Sequence, residues 1–318
     1  MKITLITPAK KHSKTGNMST ALRWAGILRD QGHRVDISDT YNGQVYDLMV
    51  AIHAWRSAAS ISKFKAKFPD NPLIVGLGGT DVNTFLKTDP EPTLGSMEIA
   101  NVLICLNSTI KQSLPEHLHE KLHVVHQSAK PLPRARSPRK RTFGVCVIGH
   151  LRKEKDPFRT AIASKLVPAT SKLSVRHLGK AHSPEWAAVA EREMAENPRY
   201  KWVGEVSGGQ VRQEYAKTHL MVISSNQEGG ANVVSEAIVA GVPIVASKID
   251  GNIGLLGLDY PGYFPVGDER ALADLLYRAE TDSVFLNDLQ SHCDKLKNLF
   301  TPAAEAEAWR DILKQFTK

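Results

Sequence analysis

Short apolar runs alternate with amphipathic stretches along most of the chain. Residues 2–7 form a β-rich run that ends at Pro8. Residues 19–31 follow with Ala21, Leu22, Ala25, Ile27 and Leu28 at helical spacing, and Gly32 supplies a stop before the next run at 34–37. Residues 48–52, 73–75, 102–106 and 123–125 predict further strands. After a proline-rich interruption the pattern restarts, with strands predicted at 143–148, 173–178, 220–224 and 243–246 and helices at 185–196 and 211–217. Residues 302–316 predict a last helix, with Thr301 as its cap and Pro302 at the first helical position. Such alternation predicts parallel sheets whose crossover helices cover both faces.

A length of 318 residues fits two domains of ordinary size. The pattern assigns 1–130 to an N-terminal α/β domain, 131–141 to a linker and 142–300 to a second α/β domain. The helix within 301–318 is expected to pack back towards the first domain. Pro131, Pro133 and Pro138 restrain the linker, and Lys130, Arg134, Arg136, Arg139, Lys140 and Arg141 make it basic. The linker reads as a solvated connector. The net charge of +8 favours an anionic partner. No aromatic residue interleaves with the basic cluster, so nucleic acid is not the expected partner. No apolar run approaches the roughly 20 residues of a membrane span. The chain enters its first strand without a signal-peptide pattern, so a cytoplasmic protein without integral membrane association is expected. Cys105, Cys146 and Cys293 lack paired spacing and predict neither disulfides nor a zinc site.

Ligands of open α/β sheets bind beyond the carboxyl ends of the strands, which directs attention to three loops. The first holds Lys10, Lys11, His12 and Lys14, then Gly16 and Asn17 at a helix start. Cations and exposed amides there suit an anion, whereas no dinucleotide or P-loop motif is present. The second, residues 149–157, carries Gly149, Arg152 and Lys155 directly after a strand. Its two cations, three positions apart, are expected to neutralise a diphosphate leaving group. The third follows the strand at 220–224. There Glu228 precedes Gly229, Gly230, Ala231 and Asn232, and Glu236 lies about two turns into the next helix. The glycines admit close backbone approach, and a carboxylate at Glu236 suits two vicinal hydroxyls such as those of a ribose. The same residues also fit a helix cap and a salt-bridged core carboxylate.

These features resemble glycosyltransferases of the GT-B fold, in the large family-four group. The resemblance rests on the opening strand–loop–helix with Gly32-His33-Arg34-Val35, the loop at 149–155, and two glutamates separated by seven residues. It implies two Rossmann-like doubly wound domains facing a central cleft. It implies that Arg152 and Lys155 hold the donor diphosphate, that Glu236 binds its ribose, and that Glu228 with the amides of 229–232 faces the transferred sugar.

The segments HAWRSA at 53–58, GGTD at 78–81, GHLRKEKDP at 149–157 and EGGAN at 228–232 are more narrowly similar to the selenosugar synthases of selenoneine biosynthesis. That similarity implies transfer from a UDP-sugar, such as UDP-N-acetylglucosamine or UDP-glucose, to selenophosphate, with a functional link to a selenophosphate-producing enzyme. Lys10, Lys11, His12, His53 and Arg56 are then the expected cations for a small anion, with Gly16 and Asn17 offering amides. Thr80 and Asp81 complete the expected acceptor site, in which Asp81 orients a basic partner or a hydroxyl, or caps a turn. His53, Arg56 and Glu228 are the residues expected to act in catalysis. Other readings are a transferase with a sugar or lipid-linked acceptor, a non-catalytic nucleotide-sugar or nucleic-acid binder, and an epimerase. No metal or cofactor is expected, because neither a D-x-D motif after a strand nor a His cluster at ligand spacing is present.

Overall fold

The structure is a computed structural model that describes residues 1–9 and 16–316. The chain divides into two units, Met1–Gln127 with Pro302–Lys318, and Ser128–Thr301. Each is built on a wholly parallel sheet.

In the first unit the strands are β1 (Lys2–Ile6), β2 (Arg34–Ser38), β3 (Leu48–Ile52), β4 (Leu73–Gly76), β5 (Val102–Cys105) and β6 (Leu122–Val124). Their spatial order is β2-β1-β3-β4-β5-β6. The three central strands β3, β4 and β5 are buried at every position, as strands covered on both faces must be, while the edge strand β2 alternates. The strand order reverses between β1 and β3, so loops after these strands diverge and leave a crevice. This is the flavodoxin-like order rather than the Rossmann one. Helix Gly16–Asp30 buries Trp24, whose ring meets that of Trp309 edge-on at 5.0 Å. Trp309 belongs to the last helix, Pro302–Lys314, and the buried Glu305 of that helix accepts the Trp24 indole N–H at 2.9 Å. An edge-to-face aromatic contact and a satisfied buried carboxylate thus hold the C-terminal helix on this unit.

In the second unit the strands are β7 (Phe143–Ile148), β8 (Leu173–Leu178), β9 (Tyr200–Gly204), β10 (Leu220–Ile223), β11 (Ile244–Ser247) and β12 (Tyr263–Phe264). The order β12-β11-β10-β7-β8-β9 is the doubly wound Rossmann order, with its switch point between β7 and β10. The apolar pattern missed β9 and the two-residue β12, which are an edge strand of mixed burial and a fragment. Helix Asn232–Ala240 opens directly after the third candidate loop and ends at Gly241, whose φ of +72° forms a left-handed cap.

The proline-rich segment is more than a solvated connector. Residues 131–141 run along the second unit, where Arg136 donates to the carbonyls of Gly241 and Thr218. Arg139 pairs with the buried carboxylate of Glu214, which Arg176 also holds. Two of the six basic side chains are therefore internal cations of this fold, while Lys130, Arg134, Lys140 and Arg141 stay exposed. Sequence composition cannot separate these roles, because their acceptors lie about 75–105 positions away.

Candidate functional site

At the switch point of the second unit, the loops after β7 and β10 are tied together. The Lys155 ammonium pairs with Glu228, and the Ser225 hydroxyl donates to the same carboxylate oxygen at 2.6 Å. Ser224 donates to the Asp156 carbonyl at 2.9 Å, and the Asn226 amide donates to the Glu154 carbonyl at 2.9 Å. Gly149, Lys155, Ser225 and Glu228 line one pocket at the carboxyl ends of the strands. The structure thus joins Lys155 to Glu228, whereas Arg152 lies beside the exposed Glu154 at 3.9 Å. Both predicted cations are partly buried beside a carboxylate, Lys155 against Glu228 and Arg152 against Glu154.

Gly229, Gly230 and Ala231 lead into the helix that starts at Asn232. Glu236 sits half-buried on that helix and accepts from the Tyr215 hydroxyl at 3.3 Å. Burial, reinforced by the neighbouring Glu236 charge, pushes the Tyr215 hydroxyl well above its ordinary range, so it remains a donor. The Glu228 loop has a backing that sequence reading did not identify. Ser247 donates to the Ser225 carbonyl at 2.6 Å, and Asn252 donates to the Ser247 carbonyl at 2.8 Å. A Cβ at Gly251 would stand 2.2 Å from the Glu228 carbonyl oxygen. Only glycine lets these two backbones meet.

Behind the Gly149 loop lies His177 of β8, fully buried. Burial lowers its imidazole to about 4, so the ring is neutral near pH 7. The folded chain therefore binds fewer protons than the unfolded chain below the ordinary value of 6.5. The stability that neutral His177 contributes is complete above pH 6.5 and is lost as the pH falls towards 4, about 3 kcal/mol in all. Urea unfolding from pH 7.5 to 4.5 should show this loss, and His177→Phe should flatten that part of the profile. Equal slopes for the two proteins would refute it.

In the first unit, β3 ends at Ile52 and His53 follows with φ +75°, a left-handed conformation uncommon outside glycine. Its Nδ1 lies 2.6 Å from Asp81 Oδ1 and its Nε2 lies 2.8 Å from Thr80 Oγ1. Asp81 is wholly buried and also accepts the amides of Ala54, Trp55 and Gly78 at 2.8–2.9 Å. Nδ1 lies between the Asp81 carboxylate and the Arg56 amide, which is 3.3 Å away, and Nε2 faces the exposed Thr80 hydroxyl. Asp81 thus contacts His53 and also holds the turn through three backbone amides. Arg56 is exposed on the next turn. Trp55 stacks on Phe85 at 3.9 Å with the rings 6° from parallel, an aromatic pair beside this cluster that sequence spacing did not show. Lys10, Lys11 and His12 lie outside the described residues. Gly16 and Asn17 form the first turn of their helix.

Among the described residues no group of three His, Cys, Asp or Glu side chains is placed to hold a metal ion, and no helix is long and apolar enough to cross a membrane.

The family described as "Glycosyl transferases group 1" matches residues 131–297, more than half of the chain and the whole Lys155–Glu228–Glu236 region. The chain belongs to this family of glycosyltransferases. "Glycosyltransferase 1 domain-containing protein 1" of Xenopus tropicalis is 23% identical over 283 residues, covering 80% of this chain and 81% of that protein. Among solved structures, Anabaena Alr3699/HepE in complex with UDP is similar with a TM-score of 0.78 at 14% identity, covering 99% of this chain and 100% of the other. Sucrose-phosphate synthase from Thermosynechococcus elongatus is similar with a TM-score of 0.78 at 15% identity, covering 99% and 98%. These likenesses establish the GT-B fold for the glycosyltransferase described here.

Proposed function

We propose that this glycosyltransferase takes its sugar from a UDP-sugar held by the second unit. The observation that carries this reading is the joining of the Gly149 loop, Lys155 and Glu228 at the Rossmann switch point, with Glu236 on the helix that follows. Lys155 supplies positive charge where a diphosphate leaves, and the Lys155–Glu228 pair keeps that charge ordered before substrate arrives. Glu236 accepts from the ribose hydroxyls, and Tyr215 holds its carboxylate in place. The UDP in the Anabaena protein supports the same donor class.

For the acceptor, the similar structures support the broad reading, an ordinary family-four transferase with a sugar or lipid-linked acceptor. A second reading, transfer to selenophosphate with formation of a carbon–selenium bond, rests on the segments at 53–58 and 78–81. The specific observation in its favour is that these two segments meet: His53 contacts Asp81 and Thr80, and the Arg56 backbone amide lies 3.3 Å from His53 Nδ1.

Glu236→Ala is expected to weaken UDP binding tenfold or more, on the order of one charge-assisted hydrogen bond. Calorimetric titration with UDP tests it, and an unchanged Kd in a folded variant removes Glu236 from the donor site. The function itself is tested by anaerobic mass spectrometry of the protein with UDP-N-acetylglucosamine or UDP-glucose, with and without selenophosphate. A selenium-bearing sugar together with UDP establishes the second reading. Selenophosphate-independent UDP release supports the first, and absence of UDP binding overturns both.

A further inference from the structure

Past the ends of β7 and β8, the two chains stay zipped together. The Gly149 amide donates to the Leu178 carbonyl at 2.9 Å, the Leu151 amide to the Lys180 carbonyl at 2.9 Å, and the His182 amide to the Leu151 carbonyl at 3.2 Å. The Lys180 amide donates to His150 Nδ1 at 3.1 Å. Approach is so close that a Cβ at Gly179 would stand 1.8 Å from the Gly149 carbonyl oxygen. The Gly149 carbonyl itself is held from below by His177 Nε2 at 3.0 Å, while His177 Nδ1 lies 3.0 Å from the Tyr200 hydroxyl.

The protonation pattern of this chain has one solution. A carbonyl oxygen only accepts, so His177 Nε2 carries the hydrogen. The buried ring is neutral, so Nδ1 is a lone pair and Tyr200 donates to it. The relay therefore runs from the Tyr200 O–H to His177 and from the His177 N–H to the Gly149 carbonyl. A trans peptide is planar and directs its C=O and N–H to opposite sides. With the Gly149 carbonyl turned towards His177, the His150 amide is turned away from it. Among the described residues that amide has no acceptor within the chain, and a Cβ built at Gly149 would meet no atom within 4 Å. Gly149 lines the pocket that also carries Lys155 and Glu228.

We infer that His177 is a positioning residue for the donor: through the Gly149 carbonyl it aims the His150 amide N–H at an anionic oxygen of the donor's diphosphate. The inference rests on the nucleotide-sugar reading above and adds to it a buried residue whose two ring nitrogens are both taken by protein groups. Its function is to prevent rotation of the Gly149–His150 peptide, which would present a carbonyl to the phosphate and repel it.

Calorimetric titration of the whole chain with UDP and with uridine tests this. His177→Phe keeps a ring of similar size and removes both nitrogens. It is expected to raise the UDP Kd about tenfold while leaving the uridine Kd within about twofold, since only UDP carries the diphosphate. His177→Gln, whose amide reaches the same carbonyl, is expected to recover most of the UDP affinity. Parallel loss of UDP and uridine binding, or an unchanged UDP Kd in folded His177→Phe, overturns the positioning role. If the wild-type chain binds no UDP, the donor reading fails and the inference with it. Should His177→Phe not fold, Tyr200→Phe decides: removal of the donor to Nδ1 is expected to weaken UDP about threefold without moving uridine, and no change overturns the inference.

Discussion

Asp81→Ala is expected to destabilise the first unit by about 3–5 kcal/mol, the largest single loss among these side chains. The carboxylate is wholly buried and satisfies three backbone amides as well as His53. Truncation leaves the amides of Ala54, Trp55 and Gly78 without their acceptor at a buried or partly buried place. Each such group costs about 1–3 kcal/mol. It also frees His53 from a left-handed backbone conformation that its surroundings impose. Asp81→Asn keeps the shape and one acceptor but turns an N–H₂ group towards donors, so about half the loss is expected. Urea unfolding followed by tryptophan emission measures it, since Trp24, Trp55 and Trp309 all lie in this unit. A loss below about 1 kcal/mol would show that relaxation or water replaces the carboxylate.

Gly179→Ala is expected to cost about 2–4 kcal/mol and to weaken UDP binding at least tenfold. In most strands or loops the same change with negative φ is neutral or favourable by about 0.4–1 kcal/mol, because it restricts the unfolded chain. Here the added methyl meets backbone atoms, the Gly149 oxygen at 1.8 Å and its carbon at 2.4 Å. A flexible side chain would swing aside, but this carbonyl is held by His177, and Gly179 is held by Trp202 through its carbonyl at 2.8 Å. The strain must therefore move the whole Gly149 loop. Thermal unfolding and UDP titration on the same sample check the prediction. A stable variant with unaltered UDP affinity would contradict the close approach on which the donor loop depends.

The sequence by itself determined the repeating strand–helix alternation in both units, because side-chain burial imposes its period wherever a strand is covered on both faces. It also placed Glu236 on the helix after the Glu228 loop by local chain geometry, although the helix starts at Asn232 and Glu236 lies just over one turn in rather than about two. It marked Gly149, Lys155, His53, Thr80 and Asp81 as chemistry at strand ends. Partnership was decided only by the tertiary structure. Lys155 meets Glu228 across 73 positions because β7 and β10 are neighbours, and His53 meets Asp81 because β3 and β4 are. Arg152 and Lys155 looked equivalent in the sequence, yet Arg152 pairs loosely with the exposed Glu154 of its own loop and Lys155 with the largely buried Glu228 of another. Likewise, Arg136 and Arg139 looked like solvated charges until their acceptors were placed beside them. His177 left no trace in the pattern, since one histidine in an apolar strand reads as core. Its position opposite Val147 in the β7–β8 register is what brings it under the Gly149 carbonyl. Local spacing follows from covalent geometry and can be read along the chain. Which groups meet depends on strand order and register, which arise only when the sheets assemble.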